Sequence, residues 1–315
     1  MKRLVFFAFL VGSFGTSYAK GPDTVKVGAY VISVHDINFH DKEYTMRYWL
    51  WFLYDKNPTF DFTNQLDITN AKSIDEPEAI VDTVAGKDWV MLKMKCVMKE
   101  TWQVHDFPFD KQHLKAEVEN SILDNSVLIF KPDLEGSKFA TQEGIDGWEI
   151  SNFKVSVKDN TYQTGFGDPR EGRNHQTFSQ FIIEMDIERD AWGLFMKIFL
   201  GMYIAFLIAI ISFTPHPSEM EPRFGLPVGG LFAAVGNKYI IDSLLPESSS
   251  FTLVDTLHAL TFIAIFATLL VSAIALKQYD HGKKELAEYT NILGAKIVMA
   301  LYVSFNVLFI VLALI

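Results

Sequence analysis

The periodicity of the apolar residues changes abruptly at Arg189. Before that residue, apolar side chains recur at every second position in several segments. After it, the stretches 192–213, 251–276 and 292–315 are almost continuously apolar. A helix needs about 20 apolar residues to cross a bilayer, and each stretch is long enough. The chain therefore divides into a water-facing part and a membrane-embedded part, which agrees with an intermediate mean hydropathy of +0.15.

In the first part of the chain, apolar and polar residues alternate as they do in the strands of a half-buried sheet. The alternation is clearest in the segments 90–99, 114–119, 153–158 and 181–188. Strands of this kind have one apolar face and one polar face. Runs of Gly, Pro, Asn and Asp separate them as turns. The pattern predicts an antiparallel β-sandwich of about nine or ten strands over residues 20–190.

The first residues are typical of an export signal. Lys2 and Arg3 precede an apolar run over 4–14, and small residues lead up to Ala19. We expect a signal peptide over 1–19, which would place the sandwich outside the cytoplasm. An uncleaved anchor is the alternative, although the apolar run is shorter than a bilayer requires.

A fourth stretch, 224–245, has the length of a membrane helix but an unusual composition. Polar groups are costly against lipid, so a helix rich in them faces a protein interior or a water-filled path. Its glycine, proline and polar residues include Gly225, Pro227, Gly229, Gly230, Gly236, Asn237, Lys238 and Asp242. The transmembrane domain is therefore predicted to cover 191–315, with four helices at about 192–213, 224–245, 251–276 and 292–315.

The basic residues of the predicted loops indicate the orientation. With the sandwich outside, Arg223, Lys277, Lys283 and Lys284 lie on the cytoplasmic side, and the external loop 246–250 has no Lys or Arg. This distribution follows the positive-inside rule. We therefore expect a multi-pass protein of the cell membrane whose N-terminal domain is extracellular or periplasmic.

Charge and cysteine content exclude several classes of function. The chain has 28 Lys and Arg against 38 Asp and Glu, a net charge of -10, and the acidic excess lies in the sandwich region, which argues against nucleic-acid binding. The lone cysteine, Cys96, excludes an intrachain disulfide and a thiolate zinc cluster. No phosphate-binding glycine loop, nucleophile elbow or zinc-protease motif occurs, so we expect neither an enzyme nor a cofactor or metal site.

The segment 107–114, Phe-Pro-Phe-Asp-Lys-Gln-His-Leu, is similar to the F-P-F-D-x-Q-x-C loop of the pentameric ligand-gated ion channels, the family of the Cys-loop neurotransmitter receptors and their bacterial relatives. Leu114 and Glu100 stand where animal receptors have two cysteines, and bacterial members similarly lack that disulfide. Arg223 and Pro246 are spaced like the ends of the family's pore helix. The resemblance covers nearly the whole predicted mature chain.

The resemblance implies that this loop couples the sandwich to the membrane helices. Asp110 would pair with Arg189, which precedes the first helix as a basic residue does in the family, and the loop beginning at Pro246 would lie beneath. A plain surface turn with a solvated carboxylate is the alternative. The residues expected to act in coupling are Phe107, Pro108, Phe109, Asp110, Arg189 and Pro246.

One face of the second helix is predicted to line a pore. Spacings of three and four residues from Glu221 form one stripe, and the family's register selects the same residues. In a five-fold assembly, Glu221 would form a carboxylate ring that attracts cations, and Phe232 an apolar constriction that gates by expelling water. The expected pore-lining residues are Glu221, Gly225, Gly229, Phe232, Gly236, Tyr239 and Ser243.

Alternatives to this pore face stay open. Polarity alone points to the face of Lys238 and Asp242, which are one turn apart and could neutralise each other. Close helix packing would explain the glycines without any pore. Pro222, beside Glu221, is similar to the insertion found in anion-selective members of the family, which bears on selectivity.

The family binds its agonists between subunits, among aromatic side chains. Aligning 53–55 with the family's W-x-D motif places Tyr48 on one side of that site, and a glycine-rich capping loop offers Tyr162 and Phe166. With Glu119 nearby, such rings would bind a small cationic ligand. Ordinary strand-edge packing is the alternative for the three aromatic residues.

Together these features predict a homopentameric, cation-selective, ligand-gated ion channel. Its partners would be identical subunits, membrane lipid, permeant cations and a small cationic ligand. The alternative is a non-conducting, membrane-anchored receptor or binding module that signals through another protein. The second helix discriminates the two, because an anchor has no need for polar positions there.

Overall fold

The computed structural model describes residues 21–140, 147–169, 174–245 and 251–314. The predicted signal peptide 1–19 and the coupling candidate Pro246 lie outside these residues. The described part consists of strands followed by long helices, as the change of periodicity predicts. The strands are β1 (Asp23–Asn38), β2 (Glu43–Tyr54), β3 (Leu66–Ile68), β4 (Ala71–Ile74), β5 (Glu78–Val84), β6 (Lys87–Lys99), β7 (Lys111–Asn120), β8 (Leu128–Pro132), β9 (Lys138–Phe139), β10 (Trp148–Tyr162) and β11 (Gln176–Arg189). The helices are α1 (Ala191–Ile211), α2 (Met220–Asp242), α3 (Leu253–Asp280) and α4 (Lys284–Ala313).

The strands form two sheets that pack as a sandwich. Within the described residues, one sheet has the order β4-β6-β2-β1-β8, with β5 on β6 and β9 on β1, and the other has the order β10-β11-β7-β3. Most pairings are antiparallel, as predicted, but β8 and β9 both pair with β1 in parallel. The described part also contains eleven strands rather than nine or ten. The extra strands are short, so no alternation was long enough to reveal them.

The sandwich core is built by the alternation read from the sequence. Every second residue of the long strands is buried between the sheets, while its neighbours face outward. Burial of such side chains stabilises each by about 1.5–3 kcal/mol relative to exposure, which fixes the register of the strands. The buried series on β2, β6 and β11 are Tyr44, Met46, Tyr48, Leu50 and Phe52; Val90, Leu92, Met94, Cys96 and Met98; and Phe181, Ile183, Met185 and Ile187.

Four helices of the described part are long and apolar enough to cross a membrane, with mean hydropathies of 2.5, 1.2, 2.5 and 2.2 from α1 to α4. The low value belongs to α2. This helix packs on α1 and α3. Helix α4 packs on α3 and, through the stacked rings of Tyr302 and Phe206, on α1. The four helices indicate a multi-pass membrane protein in which α2 and α4 lie on different sides of the α1 and α3 pair.

Hydropathy located these helices but misplaced their ends. Helix α2 begins at Met220 rather than at 224 and ends at Asp242, so Ser243 is its C-cap. Helix α4 begins at Lys284 rather than at 292, and α3 continues to Asp280 rather than ending at 276. Charged residues at these ends keep their head groups in water while the backbone stays helical, so a hydropathy scale misses those turns.

Candidate functional site

The motif 107–114, whose last four residues begin β7, lies where the sandwich meets the membrane helices. The Asp110 side chain is only 1% exposed and the Arg189 side chain 14% exposed. The Arg189 Nε donates to Asp110 Oδ1 over 3.4 Å. The solvated surface turn, which was the alternative at this loop, is therefore wrong. Because β11 ends at Arg189 and α1 begins at Ala191, this buried pair ties the loop to the end of the last strand, two residues before the first membrane helix.

A glutamine fixes the carboxylate of Asp110 from the other side. Gln112 Nε2 donates to Asp110 Oδ2 over 2.6 Å and to the Gln103 carbonyl over 2.9 Å. The Gln103 backbone N–H donates in return to Gln112 Oε1 over 2.9 Å. Both oxygens of the buried carboxylate are thus hydrogen-bonded, which holds its charge in one position. Sequence reasoning quoted Gln112 within the motif but assigned it no role.

Arg189 is enclosed by aromatic rings. Its guanidinium carbon lies 4.0 Å from the ring centroid of Trp148, 4.8 Å from that of Phe39 and 5.1 Å from that of Phe107. Such contacts between a cation and aromatic faces contribute about 0.5–2 kcal/mol each. Burial lowers the pKa of Arg189, and the Asp110 charge opposes that shift. Sequence reasoning missed Phe39 and Trp148, because nothing in their local sequence shows that they converge on one cation.

The tip of the loop contacts the beginnings of two membrane helices. The Phe109 ring lies 5.2 Å from Trp192 and 5.5 Å from Phe195, both on α1. The backbone N–H of Leu253, the first residue of α3, donates to the His105 carbonyl over 2.8 Å. Phe107 and Pro108 are buried behind the tip. The five described residues predicted to act in coupling therefore lie together next to α1, and the nearby His105 contacts α3.

The predicted pore stripe lies on the open face of α2. All of its members are exposed in the single chain, including Phe232 at 72% and Tyr239 at 78%. No neighbouring atom lies within 4 Å of a Cβ built at Gly225, Gly229 or Gly236. Packing within the chain therefore does not explain these three glycines. Glu221 is in the first turn of the helix, and Ser243 caps its end.

The opposite face of α2 is buried against α1 and α3. Gly230 lies so close to α1 that an added Cβ would approach the Ala205 carbonyl oxygen to 2.6 Å. At this position the small-residue packing alternative is correct. Other residues buried on this face are Arg223, Pro227, Ala234 and Ile241.

Lys238, one member of the polar pair on the alternative face, is bound to α3. Lys238 pairs with Asp242 one turn on, and its Nζ lies 2.8 Å from Asp255 Oδ1. Its side chain is 19% exposed, much less than the stripe residues. Lys238 therefore lies in the groove between α2 and α3 and not on the open face.

Tyr48 does not belong to a surface site. Its side chain is fully buried in the sandwich core, and its hydroxyl lies 3.5 Å from the Cys96 Sγ. Burial raises the pKa of this hydroxyl well above its ordinary value. The predicted ligand-binding role of Tyr48 is wrong, because side chains of a strand alternate between faces and an alignment shifted by one residue exchanges them. The adjacent Trp49 and Arg47 face outward on the same strand.

The other three ligand-binding candidates do lie together. The Glu119 carboxylate is buried and accepts hydrogen bonds from Asn160 over 2.6 Å, Gln180 over 2.6 Å and the Tyr162 hydroxyl over 3.0 Å. Burial and this carboxylate raise the pKa of Tyr162 to about 12. The Tyr162 ring lies 5.5 Å from that of Phe166, which is 62% exposed. Phe166 therefore offers an open aromatic face, while Glu119 acts behind it by holding Tyr162.

Comparisons with known proteins gave no assignment. No family model matches the chain, and no curated protein matches it. In the described residues, no group of three or more His, Cys, Asp or Glu side chains is arranged to hold a metal ion.

Proposed function

We propose that the chain is one subunit of a homopentameric, cation-selective ion channel, opened by a small cationic ligand that binds between extracellular or periplasmic sandwich domains. Helix α2 would line the pore, and the pair Asp110 and Arg189 would couple ligand binding to the membrane helices. The channel would lie in the cell membrane.

The observation that carries the proposal is the composition of the open face of α2. The exposed residues in the middle of α1 and α3 are mainly large and apolar, with Leu200 and Phe266 as examples. The open face of α2 presents Glu221, three glycines and Ser243 beside the rings of Phe232 and Tyr239. A carboxylate and a serine hydroxyl are unfavourable against lipid but suitable against water, and glycines without a packed neighbour leave space beside the helix. Oligomerisation with these faces at the centre provides that water, and a closed ring of identical subunits is the usual symmetry.

The direction of selectivity follows from the ring that such an oligomer would form. Five Glu221 carboxylates at the cytoplasmic mouth would attract cations and repel anions. The side chain of Phe232, near mid-membrane, is large and apolar, so five of them would constrict the pore and exclude water when closed. The glycines on either side leave the pore wide elsewhere.

Ion flux into liposomes containing the purified protein tests the proposal. Thallium influx would be measured with amines, with amino acids and across pH, and particle symmetry would be counted by electron microscopy in detergent. We expect five-fold particles and a ligand-dependent cation flux. Particles without a closed ring, or silence under every condition, would favour the non-conducting receptor.

Two variants test the assignment of the pore face. Glu221→Gln should lower the cation to anion permeability ratio, whereas Glu219→Gln, at the N-cap and off the stripe, should not. Phe232→Ala should raise the leak without ligand by about tenfold or more, equivalent to at least about 1.4 kcal/mol of gate stability. Phe266→Ala is the matched control, because Phe266 is similarly exposed, at 64%, but lies on α3. Equal effects of the paired variants would contradict this pore face.

A further inference from the structure

A continuous series of polar contacts joins the loop 105–110, here called the coupling loop, to the outer half of α2. It begins at the His105 carbonyl, which accepts the backbone N–H of Leu253 over 2.8 Å. This is the first residue of α3, so that N–H has no partner within the helix. The hydrogen bond therefore holds the beginning of α3 directly against the loop.

The first turn of α3 is rigid. Thr252 and Asp255 form a capping box, in which Asp255 Oδ2 accepts from the Thr252 backbone N–H and hydroxyl, each over 2.8 Å. The Thr252 hydroxyl oxygen accepts the Asp255 backbone N–H over 3.3 Å. Such reciprocal bonds fix the side chain as well as the helix end. The Asp255 carboxylate therefore moves with the beginning of α3.

The other oxygen of that carboxylate reaches α2. Asp255 Oδ1 lies 2.8 Å from Lys238 Nζ, and the two side chains are only 26% and 19% exposed. Screening by water is weaker for such a pair than for one on the open surface. One oxygen of the Asp255 carboxylate thus caps α3, and the other contacts Lys238 of α2.

One residue inward, a second contact fixes α2 to both neighbouring helices. Asn237 Nδ2 donates to the Ile198 carbonyl of α1 over 3.2 Å, and Asn237 Oδ1 lies 3.0 Å from His258 Nε2 of α3. These atoms are part-buried in the bundle. These two contacts therefore hold the middle of α2 against α1 and α3. A displacement of Asp255 would then move the segment of α2 that follows Lys238.

We propose that the ion pair of Asp255 and Lys238 is the positioning contact by which the coupling loop sets the outer end of α2. This inference rests on the proposed channel function for its role in gating. A displacement of the His105 carbonyl would move the first turn of α3, and with it Asp255, which in turn would move Lys238. Asp242, the other partner of Lys238, lies on α2 itself and takes no part in the transfer between helices.

A double-mutant cycle on thallium flux tests the pair. Lys238→Met and Asp255→Asn should each change the flux without ligand, in the same direction, by about fivefold, and the combined variant should change it no more than the larger single change. Asparagine keeps an acceptor for the Thr252 cap. Asp242→Asn, which removes only the contact within α2, should stay within about twofold. Multiplicative effects of the two changes would overturn the proposal.

Hydrogen exchange tests the series without any need for conduction. Leu253→Pro removes the N–H that reaches His105, and proline is tolerated at the first position of a helix after the extended Thr252. Leu253→Ala removes the buried side chain but keeps that N–H. The amides of 239–242 should exchange about fivefold faster in the proline variant than in the alanine variant. This difference should disappear in the Asp255→Asn background.

The two measurements separate the two proposals. If the native protein conducts no ions, the channel function fails, and exchange alone decides whether the contact links the loop to α2. Equal exchange of 239–242 in the proline and alanine variants would overturn the link even in a conducting protein.

Discussion

Replacement of Asp110 by asparagine should destabilise the protein strongly. The change keeps the shape of the side chain but leaves the Arg189 guanidinium buried without a counter-ion. Its Nη2 is already buried without a hydrogen-bond partner. Removing one member of a buried ion pair costs about 3–5 kcal/mol, because the remaining charge stays desolvated. The aromatic contacts with Trp148 and Phe39 persist and do not replace the lost charge.

Thermal unfolding in detergent, followed by tryptophan fluorescence, measures this cost. For a domain of this size, about 1 kcal/mol corresponds to a shift of about 2–4 °C, so Asp110→Asn should lower the Tm by about 6–20 °C. Asp55→Asn is the control. Its partner Lys87 is closer, with a distance of 3.0 Å, but the Asp55 side chain is 89% exposed. Such a pair contributes less than about 1 kcal/mol.

Removal of both charges separates the cost of an orphaned charge from the cost of lost packing. In the double variant Asp110→Asn with Arg189→Met, no charge remains buried, so the Tm should recover part of the loss. A shift for Asp110→Asn no larger than that for Asp55→Asn would refute the argument from burial. So would a double variant whose loss equals the sum of the two single losses.

Two further predictions concern packing and pH. Gly230→Ala should lower the Tm in detergent, at a cost of about 1–3 kcal/mol, because the added Cβ meets the Ala205 carbonyl. Gly229→Ala is the control and should not lower the Tm, because its Cβ meets no atom. Equal shifts of the two variants would contradict this packing. The hydrogen bond to Asp186 over 2.7 Å raises the pKa of His113, so its stabilisation is present below about pH 6.5 and is lost as pH rises through the raised pKa. The Tm difference between native protein and His113→Gln should shrink as pH rises from about 5 to about 9, and a constant difference would rule this out.

The local sequence predicted the structure correctly where the pattern within one segment is sufficient to determine it. The alternation along β2, β6 and β11 gave the buried residues correctly, since a half-buried strand has only two faces. The apolar stretches gave the four long helices, since their length and composition alone determine whether they can cross a bilayer. The pairing of Asp110 with Arg189 was implied by the resemblance of the motif 107–114 to a known family, and the structure has the two residues in a buried ion pair.

The local sequence did not predict which face of a strand is buried at Tyr48, or which distant elements pair. Tyr48 was assigned to the surface because an alignment shifted by one residue reverses the face of a strand. The parallel pairing of β8 with β1 joins segments far apart in sequence, and no local pattern encodes it. The same holds for the enclosure of Arg189 by Phe39 and Trp148.

The sequence by itself determined which part of this protein is suited to water and which part to lipid. A periodicity of two before Arg189 and long apolar stretches after it predict a sheet domain in water and helices suited to lipid, because the spacing of apolar residues is a property of each segment by itself. Only the tertiary structure decided which polar groups meet. Asp255 holds Lys238, and His258 contacts Asn237, because a hydrogen bond or ion pair forms between atoms within about 3 Å, and that proximity comes from the packing of α2 against α3.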